Sequence, residues 1–482
     1  MRTLYLATAF QIFMGVNMKH LNYADLPLMG SHDVVVAGGG PAGCMAALAA
    51  ARLGMRVLVV EQYGFLGGAL TAQGVHPMMT FHAGAEQVIR GIPDELVQRL
   101  VQAGASPGHI ADDIGYASSI TPFDAEGLKV ELEQMLAEAG AEVLFHAMLA
   151  DADVDQGRIQ ELLVCTKSGL RRVQASVFVD GTGDGDLLYH TGAGYVQGRD
   201  SDGATQPMTT NFRVGNVDTA TVKRYIMDHP DQFYLGDLRW VEEAPRLAVS
   251  GFYDLVQQAR GAGEFPTDRK GILFFETQTP GEVNVNTTHI FGRDATEPQQ
   301  LSLAEAEGRL QARQVYDFLR KWVPGFLDAV FLSTGFQIGV RESRRLRGKY
   351  TLTQDDLIQG RVFPDAVVIA GYPVDIHPPT AEDQKRALHA AGRSHSIPQG
   401  QKYQIPYRCL VSTQVFNLIA TGRCLSAEHE ALGAVRVTPI AMAVGQAAGA
   451  AAALAVKRGC SMDQVDTERL RQVLREQGAY LE

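Results

Sequence analysis

The sequence predicts an α/β protein in which a parallel sheet forms a discontinuous domain, covered by an inserted segment of mixed α+β structure. Two observations carry this prediction. Residues 33–61 read as a strand, a glycine-rich turn, a helix and a second strand, and residues 416–459 read as a further strand followed by a long apolar helix. The stretches 76–124 and 196–404 lack this alternation, so we expect them to form the insertion.

Length, composition and charge narrow the class of protein. A chain of 482 residues predicts about two or three domains. Its 46% hydrophobic and 20% charged residues exclude a chain that is disordered throughout. A net charge of −11 argues against nucleic acid as a partner. The five cysteines have neither C-x-x-C nor zinc spacing, so we expect no metal site, no disulfide scaffold and a reducing, cytoplasmic location.

The first element is a short valine run at 34–36, typical of a buried parallel strand. The glycines after it fit G-x-G-x-x-G. A helix should begin at Pro41 and Ala42 and end near Gly54. A second strand over 57–60 then ends at the acidic residue Glu61, about 20 residues beyond the turn.

Each glycine of this unit has a physical role in dinucleotide binding. Gly38 makes the tight turn, Gly40 lets a pyrophosphate approach the backbone, and Gly43 lets the helix pack on the strand. The helix N-terminus offers free N–H groups to phosphates. Glu61 would accept hydrogen bonds from the ribose hydroxyls. The alternative is a glycine turn that serves only the packing of a sheet without a nucleotide.

The segment after Glu61 distinguishes FAD from NAD. It reads QYGFLGGALT and resembles the FAD-binding proteins of the glutathione-reductase-like superfamily. The resemblance implies that the Gly-Gly pair and its neighbours lie along FAD. A simple Rossmann dehydrogenase would continue with regular strand–helix repeats, which this chain does not. The predicted FAD contacts here are Gln62, Gly67, Gly68 and Ala69.

The next elements predict a β-meander. A helix over 125–140 is followed by a strand at 142–148 and by two further strands at 158–166 and 171–180, which turns separate. A meander that returns to the parallel sheet at a glycine-rich turn is a further feature of the superfamily. The resemblance places Met148 beside the adenine. It places Gly181, Thr182, Gly183 and Asp184 near the FAD backbone, although the same GTGDGD run can be an ordinary turn.

The C-terminal part predicts a strand at 416–420 and a helix of about 20 residues beginning at 439, with Thr438 as N-cap and Gly459 as C-cap. The run 440–456 is short for a membrane span and rich in small residues, so we expect close packing instead. The resemblance aims the helix N-terminus at the flavin pyrimidine edge, where it would stabilise negative charge. The predicted contacts are Gly422, Arg423, Arg436, Val437 and Thr438.

Over most of its length the chain resembles bacterial FAD-dependent oxidoreductases, with a more distant similarity to succinate dehydrogenase and fumarate reductase flavoproteins. The resemblance rests on GGGPAG, the LGG segment, YQIPYRCLV, NLIATGR and the runs 339–356 and 426–450. It implies a Rossmann-like FAD-binding domain with a β-meander plus an inserted α+β substrate domain. The predicted parts are an extension (1–29), the FAD-binding domain (30–75, 125–195 and 405–460), the substrate or cap domain (76–124 and 196–404) and a C-terminal helix (461–482).

The expected reaction transfers a hydride from a carbon bearing a hydroxyl or an amine to flavin N5. No second G-x-G-x-x-G opens a helix, so electrons should come from a small organic substrate rather than from a built-in NAD(P)H domain. Oxygen or an electron carrier would then reoxidise the flavin. Two alternatives stay open. The site could reduce an activated double bond, with Arg341 or Arg436 as proton donor, or FAD could serve without redox chemistry.

The catalytic candidates are Arg341 and three histidines. Arg341 could clamp a substrate carboxylate, and it would share a face with Arg344 and Arg345 if the segment were helical. The alternative for these arginines is ion pairing, with Glu342 close by. His82, His377 and His429 are candidate bases.

Two further features of the sequence stay open. His76 is either a base or, as in the fumarate reductase relatives, a covalent flavin anchor, although the local sequence departs from theirs. Residues 3–16 are mostly apolar and read as a weak signal peptide or a loose extension. We expect no membrane span, and a homo-oligomer is possible.

Overall fold

The structure is a computed structural model, and it describes residues 23–389, 397–398 and 400–482. Most of the predicted extension 1–29, including the candidate signal peptide at 3–16, lies outside the described residues.

The elements are as follows in chain order. The first are β1 (Leu28–Ala37), α1 (Pro41–Arg52), β2 (Val57–Val60), β3 (Met78–Met79), β4 (His82–Ala83), β5 (Glu86–Gln87), α2 (Ile92–Gln102), β6 (Ile120–Thr121), α3 (Ala125–Glu138), β7 (Glu142–Leu144), β8 (Met148–Asp155), β9 (Arg158–Thr166), β10 (Gly169–Asp180), α4 (Asp186–Thr191) and β11 (Tyr195–Gln197). Next come β12 (Phe212–Gly215), α5 (Thr219–Asp228), α6 (Leu238–Glu243), β13 (Ala248–Gly251), α7 (Tyr253–Gly261), β14 (Ile272–Glu276), β15 (Val283–Val285), α8 (Pro298–Trp322), β16 (Val330–Thr334) and β17 (Arg344–Leu346). The last are α9 (Gln354–Ile358), β18 (Ala366–Ala370), α10 (Ala381–His389), β19 (Tyr403–Pro406), β20 (Leu418–Ala420), α11 (His429–Val435), α12 (Thr438–Arg458) and α13 (Thr467–Glu476).

The main sheet confirms the predicted α/β class. Its order is β7-β2-β1-β10-β9-β8, and β20 pairs with the end of β10. Strands β7, β2, β1, β10 and β20 are parallel, whereas β8, β9 and β10 form the antiparallel meander. The long strand β10 therefore pairs with β9 through its first half and with β20 through its last three residues.

Both faces of the parallel strands are buried, which explains their valine runs. Val34 and Val36 point to one side, where α1, α2, α3 and α12 pack. Val35 and Ala37 point to the other side, toward the meander and α4. This alternation follows from the two-residue period of a strand.

The two ends of the chain meet through α1 and α12, which pack against each other through small residues. A Cβ atom built on Gly445 would lie 2.1 Å from the carbonyl oxygen of Ala42, and one on Gly449 would lie 2.0 Å from that of Ala46. The spacing of four residues on both helices keeps these contacts on one face. The helix that follows the glycine turn is therefore held directly against the C-terminal helix.

Length and composition alone would let α12 cross a membrane. It has 21 residues, its mean hydropathy reaches 1.6, and it is the one such helix among the residues described. The helix agrees with the prediction of about 20 residues ending before Gly459, and it extends beyond the apolar run 440–456 at both ends. However, 83% of its most apolar stretch is buried inside the protein, so its composition is explained by packing against the sheet and α1.

The structure contains a second sheet with a core of its own. It is antiparallel with the order β13-β14-β15-β12-β16, and its own core includes Phe212, Phe252, Phe274, Tyr316 and Leu319. Helices α5, α7 and α8 contribute to this core. The mixed structure predicted for the insertion is therefore present in the region 212–334.

The packing differs from the expected division into domains at two places. Helix α2, within 76–124, buries Ile92, Leu96 and Leu100 in the same core as α1 and α12. Strand β18, within the predicted cap segment 196–404, buries Val368 there as well and pairs it with Ile405 of β19. The sequence suggested cap segments because no strand–helix alternation is visible in them, but their apolar residues face the main sheet.

Candidate active site

The glycine turn after β1 has the geometry that the motif predicts. Gly38 has φ +97°, and a Cβ atom there would lie 2.5 Å from the carbonyl oxygen of Gly181 at the end of β10. A Cβ atom on Gly43 would lie 1.9 Å from the carbonyl oxygen of Gly38. The absence of a side chain at these two glycines lets the turn after β1 approach the end of β10, and lets α1 approach the turn.

Gly40 differs from its neighbours, because no protein atom lies within 3.9 Å of the Cβ position. Its φ of −72° is available to any residue. The missing side chain is therefore required neither by the backbone nor by packing, and it leaves space open in the cavity in front of α1. Gly40 is also the N-cap of α1, and no side chain caps the helix there.

Glu61 lies at the end of β2 with its carboxylate turned back to the turn. Its Oε2 accepts a hydrogen bond from the Gly39 amide at 2.7 Å, and its Oε1 accepts one from the Tyr63 amide at 2.9 Å. Burial raises the pKa of this carboxyl. Glu61 also lines the cavity, so that its carboxylate can accept further hydrogen bonds from a ligand.

A cavity of about 330 Å³ runs along the carboxyl ends of the parallel strands. It brings together 17 of the 20 predicted FAD contacts from all parts of the chain. These are Gly38, Gly40, Pro41, Ala42, Glu61, Gln62, Gly68, Ala69, Met148, Gly181, Thr182, Gly183, Asp184, Gly422, Arg423, Arg436 and Thr438.

The three other predicted contacts lie beside this cavity without lining it. Gly43 is buried under the turn. Gly67 has φ +103° and turns the chain so that Gly68 packs on Gly40. Val437 lines a second cavity.

The N-terminus of α12 reaches the cavity from the opposite end of the chain. The helix begins at Thr438, one residue earlier than predicted, so that Val437 is the N-cap and no side chain caps the first amides. Two buried guanidinium nitrogens beside it, Nη1 of Arg423 and Nε of Arg436, have no hydrogen-bond partner among the described residues. Free helix amides and guanidinium nitrogens suit the phosphates and the electron-rich pyrimidine edge of FAD.

A second cavity of about 550 Å³ adjoins the first. The two share Ala69, Gln73, Arg423, Arg436 and Thr438. The second cavity extends from this boundary toward the antiparallel sheet, since Arg269, Leu273 and Phe275 on β14 and its preceding loop line it. The dinucleotide cleft and a substrate-sized chamber therefore meet at the N-terminus of α12.

Arg341 and His377, two of the catalytic candidates predicted from the sequence, both line the second cavity. The Nη1 of Arg341 donates to the Pro207 carbonyl at 2.6 Å. His377 lies between Asp375, 3.5 Å from Nε2, and His289, 3.3 Å from Nδ1. Burial and the nearby Arg341 charge lower the pKa of His377 to about 3, so it is neutral at pH 7, but both of its nitrogens already have neighbours.

Asp375 is the acid that lines the second cavity. Burial opposes its ionisation, but the side-chain hydrogen bond from His377 and the charges of Arg436 and Arg341 hold the pKa of Asp375 well below its usual value. Its Oδ2 accepts from Arg436 at 3.2 Å. The carboxylate is therefore ionised and fixes Arg436 at the boundary between the cavities.

His76 lines this chamber and has a ring nitrogen without a hydrogen-bond partner among the described residues. This nitrogen, Nε2, is buried, and the ring lies against Phe123 at a centroid distance of 4.9 Å. Burial lowers the pKa of His76 to about 4, although a hydrogen bond to the Glu276 backbone opposes the shift. The ring is therefore neutral at pH 7 and presents an unprotonated nitrogen.

The structure places the two other predicted bases elsewhere. His82 lies 2.9 Å from the hydroxyl of Ser119, and His429 lies 2.8 Å from Glu342. Neither lines either cavity. His429 belongs to a buried polar cluster in which Glu342 also pairs with Arg345 and accepts from the Gln206 amide at 3.0 Å.

The arginine-rich segment after Arg341 is not helical. Residues Arg344–Leu346 form β17, paired with β11, so Arg341, Arg344 and Arg345 share no helical face. Arg344 pairs with Asp186 at 2.9 Å and Arg345 with buried Glu342. These two arginines have the structural role that was the alternative for them, whereas Arg341 faces the chamber.

The fold and the site define a class: an α/β dinucleotide-binding protein in which a chamber for a second molecule opens onto the nucleotide cleft. Sequence comparison gives the family. The chain belongs to the FAD dependent oxidoreductase family, which matches residues 33–474. The protein is thus an FAD-dependent oxidoreductase and its cofactor is FAD, for which the uncovered space at Gly40, the Glu61 carboxylate and the unpartnered arginine nitrogens are suited.

Individual relatives cover only part of the chain. The chain is 32% identical over 152 residues to digeranylgeranylglycerophospholipid reductase 2 of Methanopyrus kandleri, which is 31% of this chain and 37% of that protein. It is also 34% identical over 146 residues to thiamine thiazole synthase of Aeropyrum pernix. The matched residues make up 30% of this chain and 47% of that protein. The chain thus spans less than half the length of these curated relatives.

Among solved structures, the chain is similar to a geranylgeranyl bacteriochlorophyll reductase-like protein from Thermoplasma acidophilum. The TM-score is 0.43 at 13% identity, over 92% of this chain and 83% of that one. The more distant resemblance to succinate dehydrogenase and fumarate reductase flavoproteins stays a prediction.

Sequence reasoning missed Arg269 and His289. Arg269 stands in the ordinary run TDRKG before β14, and His289 follows β15 without any motif. Only the folding of the chain brings Arg269 to the chamber and His289 to His377, whose ring nitrogen lies 3.3 Å from that of His289. No local signal in the sequence could have identified them.

Proposed function

We propose that the protein oxidises a small polar organic substrate at a carbon that bears a hydroxyl or an amine, as a dehydrogenase or an oxidase. The single observation that carries this proposal is the chamber of about 550 Å³ that opens onto the dinucleotide cleft at Thr438 and Arg436. A molecule in this chamber lies next to the end of the cleft where the α12 amides are free.

Bound FAD supplies the acceptor for a hydride, which carries two electrons from the substrate carbon. The chain holds FAD with the glycine turn, Glu61 and the N-terminus of α12. The free amides of α12, with Arg423 and Arg436 beside them, favour negative charge at this end of the cleft. Oxygen or an electron carrier would take the two electrons away again after the substrate has been oxidised.

The hydroxyl or amine proton needs a base, and His76 suits this role best. His76 lines the chamber, its ring is neutral at pH 7, and its Nε2 has no hydrogen-bond partner among the described residues. His377 is a weaker candidate, because Asp375 and His289 flank its two nitrogens. His76 would accept the hydroxyl or amine proton and bound FAD would supply the acceptor for the hydride, so that the substrate carbon would become a carbonyl or an imine.

The reverse chemistry is a second candidate, favoured by one observation. Arg341 lines the chamber and bonds to a backbone carbonyl rather than to an acid. An arginine in this position could orient an activated double bond and deliver a proton to it, while a partner protein supplies electrons.

The test is an anaerobic titration of the FAD-loaded protein with a panel of small alcohols and amines, followed in the oxidised-flavin absorption band near about 450 nm. The proposal expects at least one compound to bleach this band without oxygen. If only dithionite bleaches it, the dehydrogenase proposal is wrong. If the reduced protein is reoxidised by an unsaturated acid, the double-bond reductase is the better account.

A further inference from the structure

We infer that the second cavity binds an organic acid, with the carboxylate held by Arg269 and Arg341 and an apolar body extending toward the dinucleotide cleft. This inference rests on the proposed function and names its substrate class. It follows from the charges, their placement and the apolar lining of the chamber.

The charges that line the chamber do not balance. Four arginines and a single acid, Asp375, line it. Arg436 pairs with Asp375 at 3.2 Å, and Arg423 pairs with Asp184 at 2.9 Å on the side of the dinucleotide cleft. Two cations are left without an acid partner among the described residues.

Arg269 and Arg341 are these two cations, and they bond only to neutral groups. The Nη2 of Arg269 donates to the Asn286 carbonyl at 2.9 Å while its Nε is buried without a partner. Arg341, 8% exposed, donates to the Pro207 carbonyl at 2.6 Å. Both guanidinium groups therefore retain N–H donors for a ligand.

Two adjacent buried cations are costly without an anion. Burial lowers the pKa of Arg269 to about 10, and burial together with the Arg436 and Arg269 charges lowers the pKa of Arg341. Guanidinium groups nonetheless stay protonated at neutral pH. A buried charge without a partner strongly destabilises a protein in general, so a bound anion would offset the cost of burying the two arginines. A carboxylate suits this role because it pairs with a guanidinium through two parallel hydrogen bonds.

The placement of the arginines gives the ligand a direction. Arg423 and Arg436 line both cavities, whereas Arg269 and Arg341 line only the second. A carboxylate on Arg269 and Arg341 therefore lies away from the shared boundary. The remainder of the ligand points toward Thr438, where the cofactor cleft begins.

The chamber also has many apolar and aromatic side chains in its lining. These include Met79, Ile114, Tyr116, Leu273, Phe275 and Tyr372. A volume of about 550 Å³ is much larger than a carboxylate alone requires. The ligand class is therefore an acid with an aromatic or branched aliphatic body rather than a short, fully polar one.

The experiment measures binding to the FAD-loaded protein by calorimetry, with 3-phenylpropionate and its uncharged amide as probes. We expect the acid to bind at least about tenfold more tightly than the amide, equivalent to about 1.4 kcal/mol. Arg269→Gln and Arg341→Gln should each reduce this preference for the acid about tenfold or more while amide binding stays constant. Arg313→Gln, at a 61% exposed arginine on α8, is the matched control and should change neither.

Three results would overturn the inference: equal affinity for acid and amide, parallel losses for both probes in the arginine variants, or an equal loss in Arg313→Gln. Arg341→Lys, which keeps the charge but loses the paired donors, replaces Arg341→Gln if that variant does not fold, and it too should lose acid affinity.

The proposed function is refuted by different results from those that refute this inference. If acids bind as expected but no organic compound bleaches the flavin, the oxidation is wrong. If uncharged alcohols bleach it and acids show no preference, only the substrate class is wrong.

Discussion

At the scale of single residues, the glycine turn separates ligand binding from packing. Gly40 faces open cavity space and Gly43 faces backbone, although both belong to the same motif. The two glycines therefore make a matched pair for mutation.

Gly40→Ala should leave the protein without FAD nearly as stable, within about 1 kcal/mol, the usual cost of an N-cap change. It should weaken FAD binding about tenfold or more, because the new methyl group occupies the space at the helix N-terminus. Gly43→Ala should instead destabilise the protein by about 1–3 kcal/mol through overpacking. Chemical unfolding and a fluorescence titration with FAD measure both. Equal effects on stability would contradict the assignment.

His76 carries a second prediction at this scale. His76→Gln should slow substrate-dependent bleaching by about 10²–10⁴-fold, the range for loss of a general base, while bound FAD remains. The wild-type rate should be flat near pH 7 and fall as pH drops toward about 4, where His76 gains a proton. If FAD stays attached to the acid-denatured wild-type protein but not to the variant, His76 is a covalent anchor instead.

Asp113 gives a prediction for pH and stability. Burial and the charge of Asp112 raise the pKa of Asp113 from 3.8 to about 7 in the folded protein. The folded state thus keeps a proton that the unfolded chain releases near pH 4. This contribution to the free energy of unfolding is complete below pH 4 and is lost as pH rises to about 7.

Asp113→Asn retains an oxygen for the Ala248 amide. The stability of this variant relative to wild type should therefore increase by about 2 kcal/mol from pH 5 to pH 8. Urea unfolding at the two pH values measures this gain. Asp328 is exposed, so the stability of Asp328→Asn relative to wild type should not change between the two pH values. A gain at pH 5 as large as at pH 8 would refute the expected ionisation.

At the scale of elements, the pair of α1 and α12 holds the cofactor site together. Gly445→Ala places a methyl group 2.1 Å from the Ala42 carbonyl and should force the helices apart. We expect a loss of about 1–3 kcal/mol in stability and weaker FAD binding, since both helix N-termini line the cleft. Lys457→Ala, at an exposed position of the same helix, should change neither. Unaltered FAD affinity in Gly445→Ala would argue against this coupling.

The elements of the main sheet could be predicted from sequence because their signals are local. The strands at 57–60 and 158–166 agree with β2 and β9 at both ends, since a valine run and flanking turns mark them. The start of β1 at Leu28 was missed, because its first residues include Gly30, Ser31 and His32 and pair with β10 through the backbone. The single strand predicted at 142–148 corresponds to two strands in the structure, because β7 ends at Leu144 and the meander strand β8 begins at Met148.

At the scale of the whole molecule, the sequence identified the cofactor cleft far better than the chamber. The cleft is built from motifs in which each residue has a backbone role, so its contacts could be named in advance. The chamber is built from side chains on several elements far apart in the chain, such as His76, Arg269 and Asp375. Arg269 and His76, which are distant from each other in the sequence, line one chamber only in the folded protein, and no local pattern encodes this.

The most direct test of the central claim is a crystal structure of the full chain with FAD bound. We expect one FAD per chain. Its adenosine ribose should lie at Glu61, its pyrophosphate at Gly40 and the pyrimidine edge of its flavin at Thr438. FAD bound outside this cleft, or with its flavin end away from the N-terminus of α12, would contradict the account.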